Sequence, residues 1–171
     1  MKTRTFAIAA LVCTTLTSHA IAQQIYRGMR PDPANAAVPL VANTALGLGV
    51  RPADVVATPA GIVLPHSPNP PNAPQGTSVV TAGPCGLPAF TRPSGGNWNG
   101  TGAPTLQVWT MAQANLPATL QVQAVAAVPP VPNHAVISTV GAGLTQALFQ
   151  AAVGGTQAHW VIQPPPPAAC P

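Results

Sequence analysis

The residues of this chain that could carry out chemistry are few and widely spaced. Beyond residue 22 the acidic side chains are Asp32 and Asp54 and no glutamate occurs, so only these two could form a pair of catalytic carboxylates. His66, His134 and His159 lie too far apart in sequence for a local metal site. The sequence has no nucleophile elbow, zinc-protease motif or P-loop lysine. Because these motifs are absent, the sequence motifs do not assign the chain to an enzyme class.

The stretch QQIYRGMRPD (23–32) contains Arg27 and Arg30, two of the four basic residues beyond residue 22; the others are Arg51 and Arg92. Its β-forming residues predict a strand over 24–29 that ends before Pro31, with Arg27 on it. Asp32, between two prolines, is typical of an Asx turn. Arg27 could pair with an aspartate, lie along the surface or bind a ligand.

The first 22 residues are typical of a secretory signal peptide. Lys2 and Arg4 precede an apolar run over 6–16, and Ala20-Ile21-Ala22 forms a small-x-small cleavage site. The run is too short for a membrane span, and prolines interrupt every later apolar stretch. We expect cleavage after Ala22, a secreted or periplasmic location and no membrane partner.

The composition of residues 23–171 argues against a nucleic-acid partner and against disorder. Four basic and two acidic side chains, without a cluster, cannot form a polyanion-binding surface. All 23 prolines and 15 glycines fall in this part, but low charge and 47% hydrophobic residues in the whole chain are not typical of disorder. We expect one domain over 23–163 with long proline- and glycine-rich loops, followed by a proline-rich tail over 164–171.

Cys85 and Cys170 are the only cysteines after the predicted leader. In an oxidising compartment such a pair predicts a disulfide, which would fasten the tail to the middle of the chain. Two thiolate ligands of a metal are the alternative, but no partner ligands lie nearby in sequence. We expect no metal.

Apolar patterns predict an α+β domain dominated by strands. One helix is expected over 144–153, with Leu144, Leu148 and Ala152 on one face and Gly154-Gly155 at its end. The segment 43–49 could form one helical turn. The segment 66–75 contains four prolines and is expected to be a loop without strand pairing. The glycine-rich segment 92–104 is also expected to be a loop. Strands are expected at 24–29, 60–65, 76–82, 105–112, 119–128 and 134–140.

Taken in order, these segments resemble the family of bacterial type VI-exported toxins with an ADP-ribosyltransferase-like fold. A helix and Trp160 follow the last matching segment, so the resemblance covers nearly the whole chain after residue 22. It implies a split sheet with few short helices. The segments are YRGMRPD (26–32), LGVRPADV (48–55), GIVLP (61–65), GTSVV (76–80), LPAFTRP (87–93), GTGAPTLQVW (100–109) and HAVIS (134–138).

The resemblance implies a cleft that binds NAD as a substrate. Arg27, next to Tyr26 on the first strand, would hold the NAD phosphates and ribose, because a guanidinium matches phosphate oxygens bidentately and keeps its charge. Thr77 and Ser78 would donate hydrogen bonds to the ribose. The alternative is that Thr77 and Ser78 are ordinary strand residues.

His134 and Ser138 occupy the catalytic positions that the resemblance implies. Relatives show His-x-x-Ile-Glu-Pro where this chain reads HAVIST, so Ser138 replaces the glutamate. A serine has no charge to stabilise the cation-like sugar that forms when nicotinamide leaves. Arg92 also lacks the arginine neighbour of the family pattern. His134 could equally be a hydrogen-bonded structural residue.

These observations predict an exported, toxin-like domain with an NAD-type cleft and weak or degenerate ADP-ribosyl transfer. The family implies a protein target or an immunity-type partner. The alternative function is a non-catalytic secreted protein that associates with other components of the cell envelope through its apolar, nearly uncharged surface. In either case Trp98, Trp109 and Trp160 are expected in the core or anchoring loops.

Overall fold

The computed structural model describes residues 23–126, 131 and 133–171, and the predicted signal peptide lies outside the described residues. Strands dominate these residues, which confirms the expected α+β class, and they include one short α-helix. The elements are β1 (Gln24–Met29), β2 (Ile62–Val63), β3 (His66–Pro68), β4 (Pro71–Pro74), β5 (Thr77–Val80), β6 (Gln107–Ala112), β7 (Leu120–Ala124), β8 (His134–Thr139), β9 (Leu144–Thr145), α1 (Gln146–Gly154) and β10 (Val161–Ile162).

Six strands form one antiparallel sheet in the order β10-β6-β1-β5-β8-β7. β1 and β6 are paired over their full lengths, and β5 and β8 are paired from Thr77 to Val80. By contrast, β1 and β5 share a single registered pair, Tyr26 with Val80. The two halves of the sheet therefore separate beyond this pair, where Arg27 and Ser78 lie.

Alternating side chains of the sheet enter two apolar clusters, one on each face. Val79 belongs to the larger cluster and its neighbour Val80 to the smaller, as the two-residue period of a strand requires. The predicted core position of the tryptophans is confirmed, since all three are at most 7% exposed. Trp109 and Trp160 also donate indole hydrogen bonds, to the Met29 carbonyl (3.2 Å) and the Thr156 hydroxyl (3.0 Å).

Most predicted strands are present with shorter bounds. β1, β5, β6 and β8 fall within their predicted segments. β7 ends at Ala124, and residues 127 and 128 of the predicted strand 119–128 lie outside the described part. The strand predicted over 60–65 is reduced to β2, which pairs with β9, and the helical turn predicted over 43–49 forms bends and turns instead.

The prediction that 66–75 contains no strand pairing is wrong. β3 and β4 form a two-stranded ribbon in which His66 pairs with Pro74 and Pro68 with Pro71. A proline lacks a donor but keeps its carbonyl, and a ribbon with two free edges needs only part of its backbone donors for pairing. The predicted loop over 92–104 contains none of the strands β1–β10, although isolated β-bridges join Pro93 to Gly102 and Ser94 to Gly100.

The predicted helix is present, but it buries different residues. Its first turn is capped by the Thr145 hydroxyl, which accepts a hydrogen bond from the Leu148 amide (3.3 Å), and it ends at Gly154 as expected. Phe149 and Val153 are buried, whereas Leu148 is 58% exposed. Leu144, which belongs to β9, and Ala152 pack against the larger cluster as predicted, but the prediction for Leu148 was wrong because the larger Phe149 takes the core position.

The disulfide between Cys85 and Cys170 is present, as predicted, with its Cα atoms 5.2 Å apart. Cys170 is buried, and its amide donates to the Asn97 carbonyl (2.8 Å) while Asn99 donates back to the Cys170 carbonyl (3.0 Å). Arg92 donates to the Pro171 carbonyl (2.9 Å). The tail is thus fastened to the loop that follows β5. No helix in the described part of the chain is long and apolar enough to cross a membrane.

Candidate ligand-binding cavity

A cavity of about 400 Å³ opens where β1 and β5 separate. Part of its lining, here called the apolar wall, is formed mainly by apolar side chains of the segment that follows Cys85, and the rest is formed by charged and polar side chains. The apolar wall includes Val80, Leu87, Pro88, Phe90 and Val131; the polar groups are Arg27, Arg51, Asp54, Ser78, Thr91 and His134.

Arg27 is the most buried charge of this cavity, with 6% of its surface exposed. Its guanidinium donates to the carbonyls of Ala45 (3.2 Å) and Gly47 (3.2 Å), and also to that of Ser78. Nε is buried and finds no hydrogen-bond partner. Burial lowers the pKa of Arg27 to about 10, so the side chain stays charged at neutral pH. Arg27 thus joins the two separating strands, while two of its five N–H donors, including the one on Nε, have no acceptor.

The ion pair in the described residues is formed by Arg51 and Asp54, and Arg27 takes no part in it. Arg51 Nε donates to Asp54 Oδ2 (2.8 Å) and Nη2 to Oδ1 (2.5 Å), and this hydrogen bonding raises the pKa of Arg51. Asp32 instead accepts from the amides of Ala34 (2.8 Å) and Asn35 (3.3 Å), the Asx turn that was predicted. Neither aspartate therefore forms a salt bridge with Arg27.

Ser78 and His134 lie on the same face of neighbouring strands. Ser78 pairs with Val136 and Val80 with His134, so the two side chains are diagonal neighbours. Burial lowers the pKa of His134, which therefore favours the neutral imidazole. Ser78, the more exposed of the two, offers a hydroxyl at the cavity.

The structure brings together three of the six ligand or catalytic residues that the sequence indicated, namely Arg27, Ser78 and His134. Tyr26 packs against the smaller apolar cluster. Thr77 is fully buried and donates to the Gly49 carbonyl (2.8 Å), and Ser138 is fully buried and donates to the Thr139 carbonyl (3.3 Å). Both hydroxyls are therefore used inside the protein, away from the cavity lining.

Sequence reasoning missed four residues that shape this cavity. Arg51 and Asp54 were recognisable as an oppositely charged pair three residues apart, a spacing that favours contact. Phe90, 65% exposed at the cavity, carries no sequence signal. Gly28 is required because a Cβ atom there would lie 1.7 Å from the Thr91 carbonyl oxygen, so only glycine lets the cavity wall lie across β1.

Within the described residues, no group of three or more His, Cys, Asp or Glu side chains could hold a metal ion. Comparison of the chain with protein-family models, with curated proteins and with solved structures yields no match. The chemistry of the cavity itself is therefore the basis for a functional proposal.

Proposed function

We propose that this is an exported protein whose cavity binds NAD or a similar anionic nucleotide, with weak or no ADP-ribosyl transfer. The observation that carries the proposal is Arg27, a buried cation that lines the cavity and has no carboxylate partner. The resemblance of YRGMRPD to the first strand of ADP-ribosyltransferase-like toxins supports the same assignment of this arginine.

Asp54 attracts Arg27 but forms no ion pair with it, and burial still lowers the pKa of Arg27. Burying such a charge is costly, because desolvation is only partly offset by neutral acceptors. Three carbonyls accept from Arg27, which leaves two of the five N–H donors of a guanidinium, including the one on Nε, without an acceptor. An anionic ligand would supply further opposite charge and an acceptor for the spare Nη1 donor, whereas Nε has no accessible surface.

The two unlike walls of the cavity fit a ligand with a flat ring and an anionic group. Leu87, Pro88 and Phe90 would contact the ring, and Arg27 and Ser78 would bind the phosphate and hydroxyl groups. The volume of about 400 Å³ lies within the range of about 300–1,000 Å³ for small-molecule sites.

Weak catalysis follows from the carboxylates of the chain. Ser138, where the resemblance places the catalytic glutamate, is fully buried and hydrogen-bonded within β8. Asp54 is the carboxylate at the cavity, and Arg51 neutralises it. Without a free carboxylate, a cation-like sugar would lack its main electrostatic stabilisation. The disulfide fits an oxidising compartment, and the predicted signal peptide supports export.

Calorimetric titration of NAD into the disulfide-bonded protein tests the proposal. We expect saturable binding that weakens about tenfold or more in Arg27→Lys, because an ammonium cannot reproduce the planar guanidinium fork. Arg30→Lys is the matched control, since Arg30 is exposed and does not line the cavity. Because Arg27 also joins strands, Ser78→Ala provides a second variant at an exposed position and should weaken binding several-fold. Absence of heat at millimolar NAD would overturn the proposal.

The second candidate function is association with another protein of the cell envelope. The observation that favours it is the pair Val161 and Ile162, which are 57% and 45% exposed on the edge strand β10. Exposed apolar residues on an edge strand can pair with a strand of a partner. Cross-linking of the native protein in envelope extracts, compared with a Val161→Lys variant, would test this function.

A further inference from the structure

Arg27 shares its cavity with a second guanidinium. Arg51 and Asp54 line the same cavity, and both lie within electrostatic range of Arg27. Burial lowers the pKa of Arg27 most, the negative charge of Asp54 raises it, and the positive charge of Arg51 lowers it by a smaller amount. Two like charges at one cavity repel unless an anion lies between them. Two arginines and one aspartate give the cavity lining one net positive charge, and burial favours the neutral form of His134.

Two hydrogen bonds hold the segment just before Arg51 in place in the absence of a ligand. The Thr77 hydroxyl donates to the Gly49 carbonyl (2.8 Å), and the Gln150 amide donates to the Val50 carbonyl (3.1 Å). The first bond joins the segment to β5 and the second joins it to α1. Arg51 is therefore placed by the sheet and the helix together, which reduces the entropic cost of using it as a ligand.

Asp54 orients the guanidinium of Arg51. The carboxylate accepts from Nε and from Nη2, and this bidentate pairing fixes the guanidinium plane. The Nη1 group takes no part in the pairing, so its two donors stay available to a ligand. The Arg51 side chain is 41% exposed, as a group that meets a ligand from solution must be.

We propose that Arg51 is a second phosphate ligand, positioned by Asp54, and that the cavity binds the diphosphate of a nucleotide between Arg27 and Arg51. Each guanidinium would bind one phosphate: Arg27 through the spare donor of its Nη1 and Arg51 through its own Nη1. The inference rests on the proposed function in that the diphosphate is the anionic part of NAD, but it can be tested without NAD.

The test is a titration of the ¹⁵N-labelled, disulfide-bonded protein with inorganic pyrophosphate, followed at the arginine Nε–H signals. The described residues contain four arginines, so their signals can be assigned one by one. We expect saturable shifts for Arg27 and Arg51. Exposed Arg30 and tail-bound Arg92 serve as internal controls and should not move.

Two substitutions of Arg51 test its direct role. Arg51→Ala should weaken pyrophosphate binding about tenfold or more, the loss of a charge-assisted hydrogen bond. Arg51→Lys should also weaken it, because one ammonium cannot hold both oxygens of Asp54 and a phosphate. Arg30→Ala should leave the affinity unchanged. Unchanged affinity in Arg51→Ala would overturn the inference.

A double-mutant cycle tests the positioning role of Asp54. In the Arg51→Ala background the carboxylate only repels an anion, so Asp54→Asn should raise the affinity for pyrophosphate. In the native background it also holds Arg51, so the same change should give no such gain. An equal gain in both backgrounds would overturn the positioning role.

The outcomes separate this inference from the proposed function. Pyrophosphate shifts at both arginines without any heat from NAD would support a diphosphate site and contradict NAD binding. NAD binding with a shift at Arg27 alone, or with equal shifts at Arg30 and Arg92, would leave the proposed function standing and overturn the role of Arg51.

Discussion

At the scale of single residues, the burial of His134 links stability to pH. In the unfolded chain this imidazole binds a proton near its ordinary pKa of about 6.5, whereas burial lowers the pKa in the folded protein. Just below pH 6.5 the unfolded state therefore binds more protons, so stability falls as the pH falls. His134→Gln removes the titrating group and should make the unfolding free energy less sensitive to pH across this window.

Urea unfolding at pH 7.5, 6.5 and 5.5 measures this effect. His66→Gln, at an exposed position on β3, is the control and should keep the native pH dependence. If His134→Gln loses stability toward acid as steeply as the native protein does, burial of the imidazole is not the cause.

At the scale of elements, α1 offers two adjacent residues with opposite environments. Phe149 is fully buried in the larger apolar cluster, and Leu148 is 58% exposed. Phe149→Ala should lower the unfolding free energy by about 3–5 kcal/mol because it removes core contacts and leaves a cavity. Leu148→Ala should change it by less than about 0.5 kcal/mol, as an exposed position. Equal losses in the two variants would contradict this orientation of the helix.

The N-terminus of α1 provides a second prediction for this element. The Thr145 hydroxyl caps the helix by accepting from the Leu148 amide, so Thr145→Ala should cost about 1 kcal/mol of unfolding free energy. Thr105→Ala, at an exposed loop position, is the matched control and should cost little. Thermal unfolding of both variants gives the comparison; equal midpoints would show that the cap contributes nothing.

The sequence predicts elements well where one rule dominates. β7 is predicted because its polar and apolar residues alternate, and the end of α1 because glycine disfavours a longer helix at Gly154-Gly155. The ribbon β3–β4 was missed because the effect of proline depends on which backbone donors the ladder needs. The buried face of α1 was missed because a helical pattern cannot tell which of Leu148 and Phe149 the sheet will accept.

The cavity was predictable only in part, for a related reason. Arg27, Ser78 and His134 were found through a resemblance that maps each to a strand, and strands keep their side chains in register. Arg51 and Asp54 reach the cavity through long-range hydrogen bonds that join residues 49 and 50 to β5 and α1. Such contacts leave no periodic signal in the sequence.

At the scale of the whole molecule, the disulfide joins the tail to the segment that forms the apolar wall of the cavity. Cys85 and Cys170 are 85 residues apart, and the chain-entropy estimate for a loop of this length is about 4–5 kcal/mol. Cys85→Ala with Cys170→Ala should therefore lower the unfolding free energy by up to this amount. Urea unfolding measures the loss; stability equal to that of the native protein would show that the tail contacts alone are sufficient.

The central claim is that the space between β1 and β5 binds NAD. Amide chemical-shift mapping of the ¹⁵N-labelled, disulfide-bonded protein during titration with NAD tests it most directly. The account predicts saturable shifts concentrated at cavity residues such as Gly28, Val80, Thr91 and His134, with little change in α1. No shifts at millimolar NAD, or shifts concentrated away from the cavity, would contradict it.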